Sequence, residues 1–427
     1  MPLVPESDRR EFITSAAGGA AFLILKPQTA RGYQANSAVR FGLLGCGGYG
    51  KVVATAFAKN TNTRVVALAD IFPDQLEKAK AIFDTLAASL GYSGPDRKLM
   101  FRGARAYQEL TASNQVDVIQ ISTPSFFHVE HLDAAVSAGK HVYCEKPLGV
   151  DVVQARKAQE IGTRAEGKVS IDVGFQIRSA PPFVELVRRI HEGALGKLVS
   201  ISAHYYAPAV DYPERSASIS HDELRVRNWN WDLALSGDII VEQDIHVIDI
   251  CNWILRGHPL SAYATGGRSV LSHFGDTFDN YQVNYTYANN VHVALAAKQY
   301  GADKYFDVSE QVFGSRGYSE SPYFGRVRIV GDNAWEWNNP EAAHSGSEST
   351  NKAPIDNLAQ AYTQKTKAFI ESITTGKFHN QIEAGVTSAL SAIMARMSAR
   401  RGQVMTWEDV LASRERFDLG FDLNQFV

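Results

Sequence analysis

From Val39 onward, short apolar runs alternate with longer segments of helical period. The runs at 39–44, 64–69, 116–122 and 141–144 are nearly unbroken in Val, Ile, Leu and Ala, which predicts strands buried on both faces. Between them, 49–59, 74–89 and 128–138 predict helices, and 151–166 predicts a helix leading out of this region. Strand and helix in alternation give a parallel sheet with helices on both faces. The second half changes period. Runs at 197–206, 261–270, 279–288, 291–299 and 307–313 alternate, as in Tyr281-Gln282-Val283-Asn284-Tyr285-Thr286-Tyr287. That predicts a sheet with one covered face and one open or ligand-facing face. Helices are expected over 181–193, 241–256, 356–374 and 381–401, and the polar stretch 340–354 reads as an exposed loop.

The junction after the first run changes this picture most. Gly45, Gly47 and Gly50 in Leu44-Gly45-Cys46-Gly47-Gly48-Tyr49-Gly50 fit G-x-G-x-x-G between a strand and a helix. Gly45 permits the tight bend, Gly47 lets backbone approach a pyrophosphate, and Gly50 lets the helix pack closely on the strand. Gly48 and Tyr49 belong to the helix start, whose N–H groups face phosphate charge. The next strand ends in Asp70, 20 residues after Gly50, where a carboxylate meets ribose hydroxyls. No basic residue follows at once, so NAD is expected rather than NADP.

Composition narrows the class. The 427 residues suffice for two or three domains, 45% are hydrophobic and 21% charged, an ordinary globular balance. A net charge of −3 argues against a nucleic-acid surface. Three scattered cysteines, Cys46, Cys144 and Cys251, exclude a disulfide framework and a Cys-x-x-Cys metal site. At the N-terminus, Arg9-Arg10 precedes an Ala/Gly-rich apolar run, Thr14 to Leu25, that resembles a twin-arginine export signal; the other reading is a plain N-terminal extension. Export by this route implies a periplasmic protein, and its absence a cytoplasmic one. No later stretch is long and apolar enough to span a membrane.

Three further constellations matter, the first two of them at strand ends, where open α/β sheets bind ligands. They are Ser122-Thr123-Pro124 with His128, then Glu145-Lys146-Pro147, and then Asp238 to Asp249 with Glu242, Asp244 and His246. With the glycine turn, Ala138-Gly139-Lys140-His141-Val142, Gly193-Ala194-Leu195-Gly196-Lys197 and Met405-Thr406-Trp407-Glu408-Asp409, they occur in the order of the Gfo/Idh/MocA oxidoreductases, which the chain resembles from about residue 39 to its end. The resemblance implies a Rossmann domain over 37–160, after an extension over 1–36. It implies an α+β domain over 161–427, with a large, mostly antiparallel open sheet, for substrate binding and oligomerisation. It implies that Lys146 touches the substrate hydroxyl and the nicotinamide side, that His246 is the general acid/base, and that Gln176 and Arg178 lie near the nicotinamide cleft. It also implies a homo-oligomer, dimer or tetramer. The chain departs from the family pattern at Glu242, where aspartate is usual, and at Asp244 and Asp238, where glycine is usual.

The residues support the same chemistry. Oxidising a secondary alcohol moves hydride to the nicotinamide while a base takes the hydroxyl proton. Histidine titrates near neutrality and suits that task, and the Lys146 ammonium would stabilise alkoxide character. On one helix, Glu242 and His246 would share a face, so that Glu242 orients the imidazole or binds a sugar hydroxyl. Glu242, His246 and Asp249 as metal ligands is the weaker reading, and no metal is expected. His128 reads either as a cofactor-side residue or as a helix cap, and Arg178 either as a substrate ligand or as a salt bridge. Residues 204–232, with His204, Tyr205, Tyr206, Tyr212, Arg225, Arg227, Asn228, Trp229, Asn230 and Trp231, read as a carbohydrate-binding wall or an aromatic core. Arg227, Asn228 and Trp229 are the better substrate candidates. The expected function is a nicotinamide-dependent oxidoreductase on a sugar, glycoside or cyclitol, with a tightly held, recycled cofactor. A glycoside hydrolase using transient oxidation and a non-catalytic sugar sensor are the alternatives.

Overall fold

Strand β1 (Val39–Leu44) is buried along nearly its whole length, because it runs through the middle of a parallel sheet and has no solvent face. The computed structural model describes residues 38–209, 219–271, 275–301, 305–338 and 356–426. Among them, β1, β2 (Thr63–Asp70), β3 (Met100–Arg102), β4 (Val118–Ile121), β5 (His141–Cys144) and β6 (Ile171–Val173) form a sheet in the order β3-β2-β1-β4-β5-β6. Every pairing is parallel. The order reverses between β1 and β4, the switch point at which such sheets bind ligands. Register brings the ends together: Leu44 pairs with Ala69 on one side and Ile121 on the other. Gly45, Asp70 and Ser122 therefore emerge side by side.

The pattern reading found the four central strands and missed β3, β6 and the helix Ala106–Ala112, all too short for a period to register. β6 extends this sheet beyond the helix Val152–Ala165.

The second sheet holds β7 (Leu198–Ala207), β8 (Ser261–Gly267), β9 (Asn280–Tyr287), β10 (Val291–Gln299), β11 (Asp307–Gly314), β12 (Gly317–Glu320), β13 (Arg328–Gly331), β14 (Trp335–Glu336) and β15 (Met405–Thr406). Its order is β14-β13-β12-β11-β7-β10-β9-β8-β15, antiparallel except where β7 meets β10. Alternation along β9 buries Tyr281, Val283, Tyr285 and Tyr287 and exposes Gln282 and Asn284. The covered face packs on helices Ile245–Leu255 and Ile382–Arg401, and two of the tyrosine hydroxyls find partners there. Tyr287 donates to Asn252 Oδ1 at 2.7 Å and Tyr285 to the Ser391 carbonyl at 3.1 Å.

The expected helix over 241–256 is two helices, Ile239–Glu242 and Ile245–Leu255, parted at Gln243 and Asp244. Glu242 and His246 therefore do not share one helical face. Among the described residues no helix is long and apolar enough to cross a membrane. The arginine pair, Tyr212 and the 340–354 loop lie outside the described residues.

Candidate active site

Gly45 has φ +90°, and a Cβ there would lie 2.5 Å from the Ser122 carbonyl carbon and oxygen, so only glycine fits the bend. A Cβ on Gly50 would collide with the Gly45 carbonyl. Gln120 Nε2 donates to the Gly50 carbonyl at 2.9 Å and fastens the helix Gly48–Asn60 to β4. Gly47 and Gly48 differ: a Cβ on either meets nothing within 4 Å. The turn is tight where it packs and open where a ligand would approach. Asp70 Oδ2 and Oδ1 accept the N–H groups of Cys46 (2.7 Å) and Phe72 (2.8 Å), and burial pushes its carboxyl pKa up. A cleft of about 520 Å³ opens here, lined among others by Gly45, Gly47, Gly48, Asp70, Ser122, Thr123 and Pro124. Its open glycine edge and single carboxylate fit an adenosine diphosphate moiety.

The second part of the site lies where β5 ends. Lys146 is 8% exposed, and its Nζ donates to Glu242 Oε1 at 2.7 Å and to the Glu242 carbonyl. Glu145 is buried, and neither carboxyl oxygen has a hydrogen-bond partner. Burial, opposed by the Lys146 and Lys365 charges, pushes its pKa up to about 8. His246 is buried edge-on to Phe175, with ring centroids 6.0 Å apart and Nδ1 unpartnered. Burial, aided by the Lys146 charge, lowers its pKa well below the usual value and keeps the imidazole neutral. Gln176 Oε1 is likewise buried without a partner. Polar atoms left unpaired in a closed site are costly unless a ligand satisfies them.

Other expected site residues are placed elsewhere. His128 has its ring nitrogens 2.9 and 2.8 Å from the Pro147 and Thr123 carbonyls. Burial lowers its pKa to about 4, so the ring is neutral and donates its one N–H to one of these two carbonyls. Arg178 forms a two-pronged pair with Asp249 (2.7 and 2.9 Å) and lies 5.5 Å from the Trp253 ring centre. The aromatic wall is split by strand alternation. Tyr205 is buried and meets Gln243, whereas His204 and Tyr206 stack on the opposite face of β7. Arg227 and Trp229 line the glycine cleft rather than the lysine pocket, and Asn228 Nδ2 donates to the Leu224 carbonyl at 3.0 Å. Among the described residues no group of three or more His, Cys, Asp or Glu side chains is placed to hold a metal ion.

Residues 39–173 match the Gfo/Idh/MocA oxidoreductase family with an NAD-binding Rossmann fold, and 183–320 match the Gfo/Idh/MocA C-terminal domain. The chain belongs to the Gfo/Idh/MocA oxidoreductase family. It is 28% identical over 284 residues to an inositol 2-dehydrogenase of Rhizobium meliloti (strain 1021), covering 65% of this chain and 74% of that one. Its fold is similar to that of a levoglucosan dehydrogenase solved with NADH and levoglucosan, at TM-score 0.66 and 19% identity, covering 87% and 99% of the two chains. It is also similar to that of an aldose-aldose oxidoreductase from Caulobacter crescentus complexed with glycerol, at TM-score 0.66 and 17% identity, covering 86% and 99%.

Two of the departures of this Gfo/Idh/MocA chain from the family pattern, Glu242 and Asp238, have structural counterparts. Glu242, in place of aspartate, reaches Lys146. Asp238, in place of glycine, keeps a conformation natural to glycine, φ 86° and ψ 161°. Its carboxylate accepts the Ile239 and Phe278 N–H groups, each at 2.9 Å, and pairs with Arg400. Its carbonyl accepts the Glu242 N–H at 2.9 Å. Two residues that the sequence did not single out complete the site. Buried Arg396 donates to the carbonyls of Val150 (2.6 Å) and Gly237 (2.8 Å), joining the loop after Lys146 to the turn before Glu242. Tyr362 hydrogen-bonds Tyr49 through the hydroxyls, and Glu145 is close enough to raise the pKa of both phenols beyond the effect of burial. Neither belongs to a short motif, so nothing local marked them.

Proposed function

We propose that this enzyme oxidises a secondary hydroxyl, or reduces the matching ketone, of a sugar, glycoside or cyclitol with tightly held NAD. The observation that carries the reading is the lysine pocket: a buried ammonium, a neutral imidazole and an unpaired carboxyl converge beside a dinucleotide cleft. The nicotinamide, when bound, accepts or returns the hydride. Lys146 offers N–H donors to the substrate oxygen and favours its alkoxide character. His246 is already neutral, so its ring accepts the hydroxyl proton without first having to lose one. Glu242 holds Lys146 in place. Glu145 and Gln176 offer buried polar atoms to a bound carboxamide or hydroxyl.

The Asp70 carboxylate in the cleft supports NAD over NADP, since a 2′-phosphate would meet negative charge. The inositol dehydrogenase relative supports a polyol substrate. The twin-arginine-like N-terminus supports export to the periplasm with cofactor already loaded, where internal recycling between two sugars would replace exchange with a free pool. The open face of the second sheet supports a homo-oligomer.

The test is mass and absorbance analysis of the nucleotide released from purified protein, before and after exposure to a panel of sugars, cyclitols and glycosides. Bound NAD that changes redox state with a polyol is the expected result. Protein that neither retains nor binds nicotinamide at micromolar levels overturns the reading. Unimpaired export of a chain carrying Arg9→Lys and Arg10→Lys would overturn the targeting part alone.

A further inference from the structure

The outer wall of the glycine cleft comes from outside the first sheet. Val226, Arg227 and Trp229 line it from the segment after Ser220, and Leu423 lines it from the C-terminal turn Leu423–Phe426. These two stretches are tied to each other. Arg225 Nη1 donates to the Leu419 carbonyl at 2.8 Å, and its guanidinium lies 4.8 Å from the Phe421 ring centre. Gln425 Nε2 donates to Asp222 Oδ2 at 3.2 Å. Together they close on the first sheet's loops through a small apolar cluster, Phe72, Phe127, Val226, Leu235 and Leu419, distinct from the main core.

The polar bridge across the cleft is Arg227. Its Nη2 lies 3.0 Å from Asp74 Oδ1, and its guanidinium carbon sits 3.8 Å from the Phe72 ring centre. Glu223 holds Nε at 2.8 Å from behind. Asp74 opens the helix Pro73–Ser89 just after β2, and Arg227 is close enough to act on the Asp70 carboxylate. The bridge therefore stands beside the carboxylate expected to bind the adenosine ribose.

We propose that residues 220–231 and 419–426 form a strap over the adenosine half of the bound dinucleotide, and that the Arg227–Asp74 bridge is its bolt. A nucleotide beneath the strap leaves only when the bolt opens, so the bridge governs release more than capture. Asp74 does not line the cleft, so removing it acts on the strap and not on a nucleotide contact. The inference rests on the nicotinamide-cofactor reading above and adds the device that slows exchange.

The test uses the full chain loaded with NAD and chased with excess unlabelled nucleotide. Asp74→Ala and Arg227→Ala are each expected to speed release about three- to tenfold, as suits a half-exposed ion pair joined by a cation–π contact. Association should stay within about twofold, since affinity changes at one site fall mostly on dissociation. Asp74→Glu should restore slow release, and the Asp74→Ala/Arg227→Ala double variant should release no faster than Arg227→Ala alone. Leu423→Ala, at the other half of the wall, should also speed release. NAD that leaves all of these variants at the wild-type rate overturns the strap and leaves the functional reading standing. Wild-type chain that binds no nicotinamide nucleotide overturns both.

Discussion

The glycine turn and the lysine pocket lie along the same edge of one sheet, yet they are finished in opposite ways. At the turn, backbone does the work: Gly45 and Gly50 are forced by close contact, and both Asp70 oxygens already hold N–H groups. At the pocket, side chains do the work, and Glu145, Gln176 and His246 hold buried polar atoms without partners. A site that recognises a shared scaffold such as a dinucleotide can be complete as shape. A site that must respond to charge as it develops keeps unpaired polarity in reserve, at some expense to the free protein.

The sharpest way to separate the two regions is Lys146→Ala, expected to cut turnover about 10³-fold while nucleotide titration by fluorescence stays near wild type. Equal loss of binding and turnover would erase the distinction. His246→Asn should cost about 10²-fold in kcat. In the parent, the acid limb of the pH–kcat/KM profile should fall below pH 6.5, because burial and Lys146 lower the imidazole pKa. The variant should lack that limb.

Within the turn, Gly45→Ala should destabilise the fold by about 2–3 kcal/mol in denaturant unfolding, from a strained φ and a backbone clash. Gly47→Ala should leave stability unchanged and weaken nucleotide binding about tenfold. Glu145→Gln is the subtlest test. The parent's carboxyl binds its proton more tightly folded than unfolded, so its stabilising contribution is full below pH 4.5 and is lost as pH rises through about 8. Without cofactor, the variant should therefore gain on the parent across that window, by at most about 1.4 kcal/mol per pH unit. A flat difference would mean that Glu145 is already paired.

The sequence showed the first sheet's centre and the glycine turn plainly, because burial on both faces leaves unbroken apolar runs and the bend demands glycine. It also pointed to Lys146, through a motif at a strand end, and to His246, through the family resemblance. What it could not show depended on distance along the chain. Glu242 was expected to orient His246, four residues on, or to bind a sugar hydroxyl; the break at Gln243 and Asp244 turns it to Lys146, 96 residues away. Arg227 and Trp229 read as sugar ligands from their aromatic and basic setting, and only tertiary packing brings them to Phe72 and Asp74. His204, Tyr205 and Tyr206 looked like one wall, although a strand must send neighbours to opposite faces.

Asp238 has a consequence for anyone wishing to improve this protein. Its backbone geometry is one that a non-glycine residue holds at a cost of about 1–3 kcal/mol, and a carboxylate gripped by Arg400 and two N–H groups keeps it there. The segment bearing Glu242 is thus spring-loaded against the long helix that carries Arg400. Glycine would relax the spring and cost the guanidinium its carboxylate partner in the same stroke. A screen for thermostability and a screen for turnover would then judge this position by different criteria, and a gain in one need not survive selection for the other.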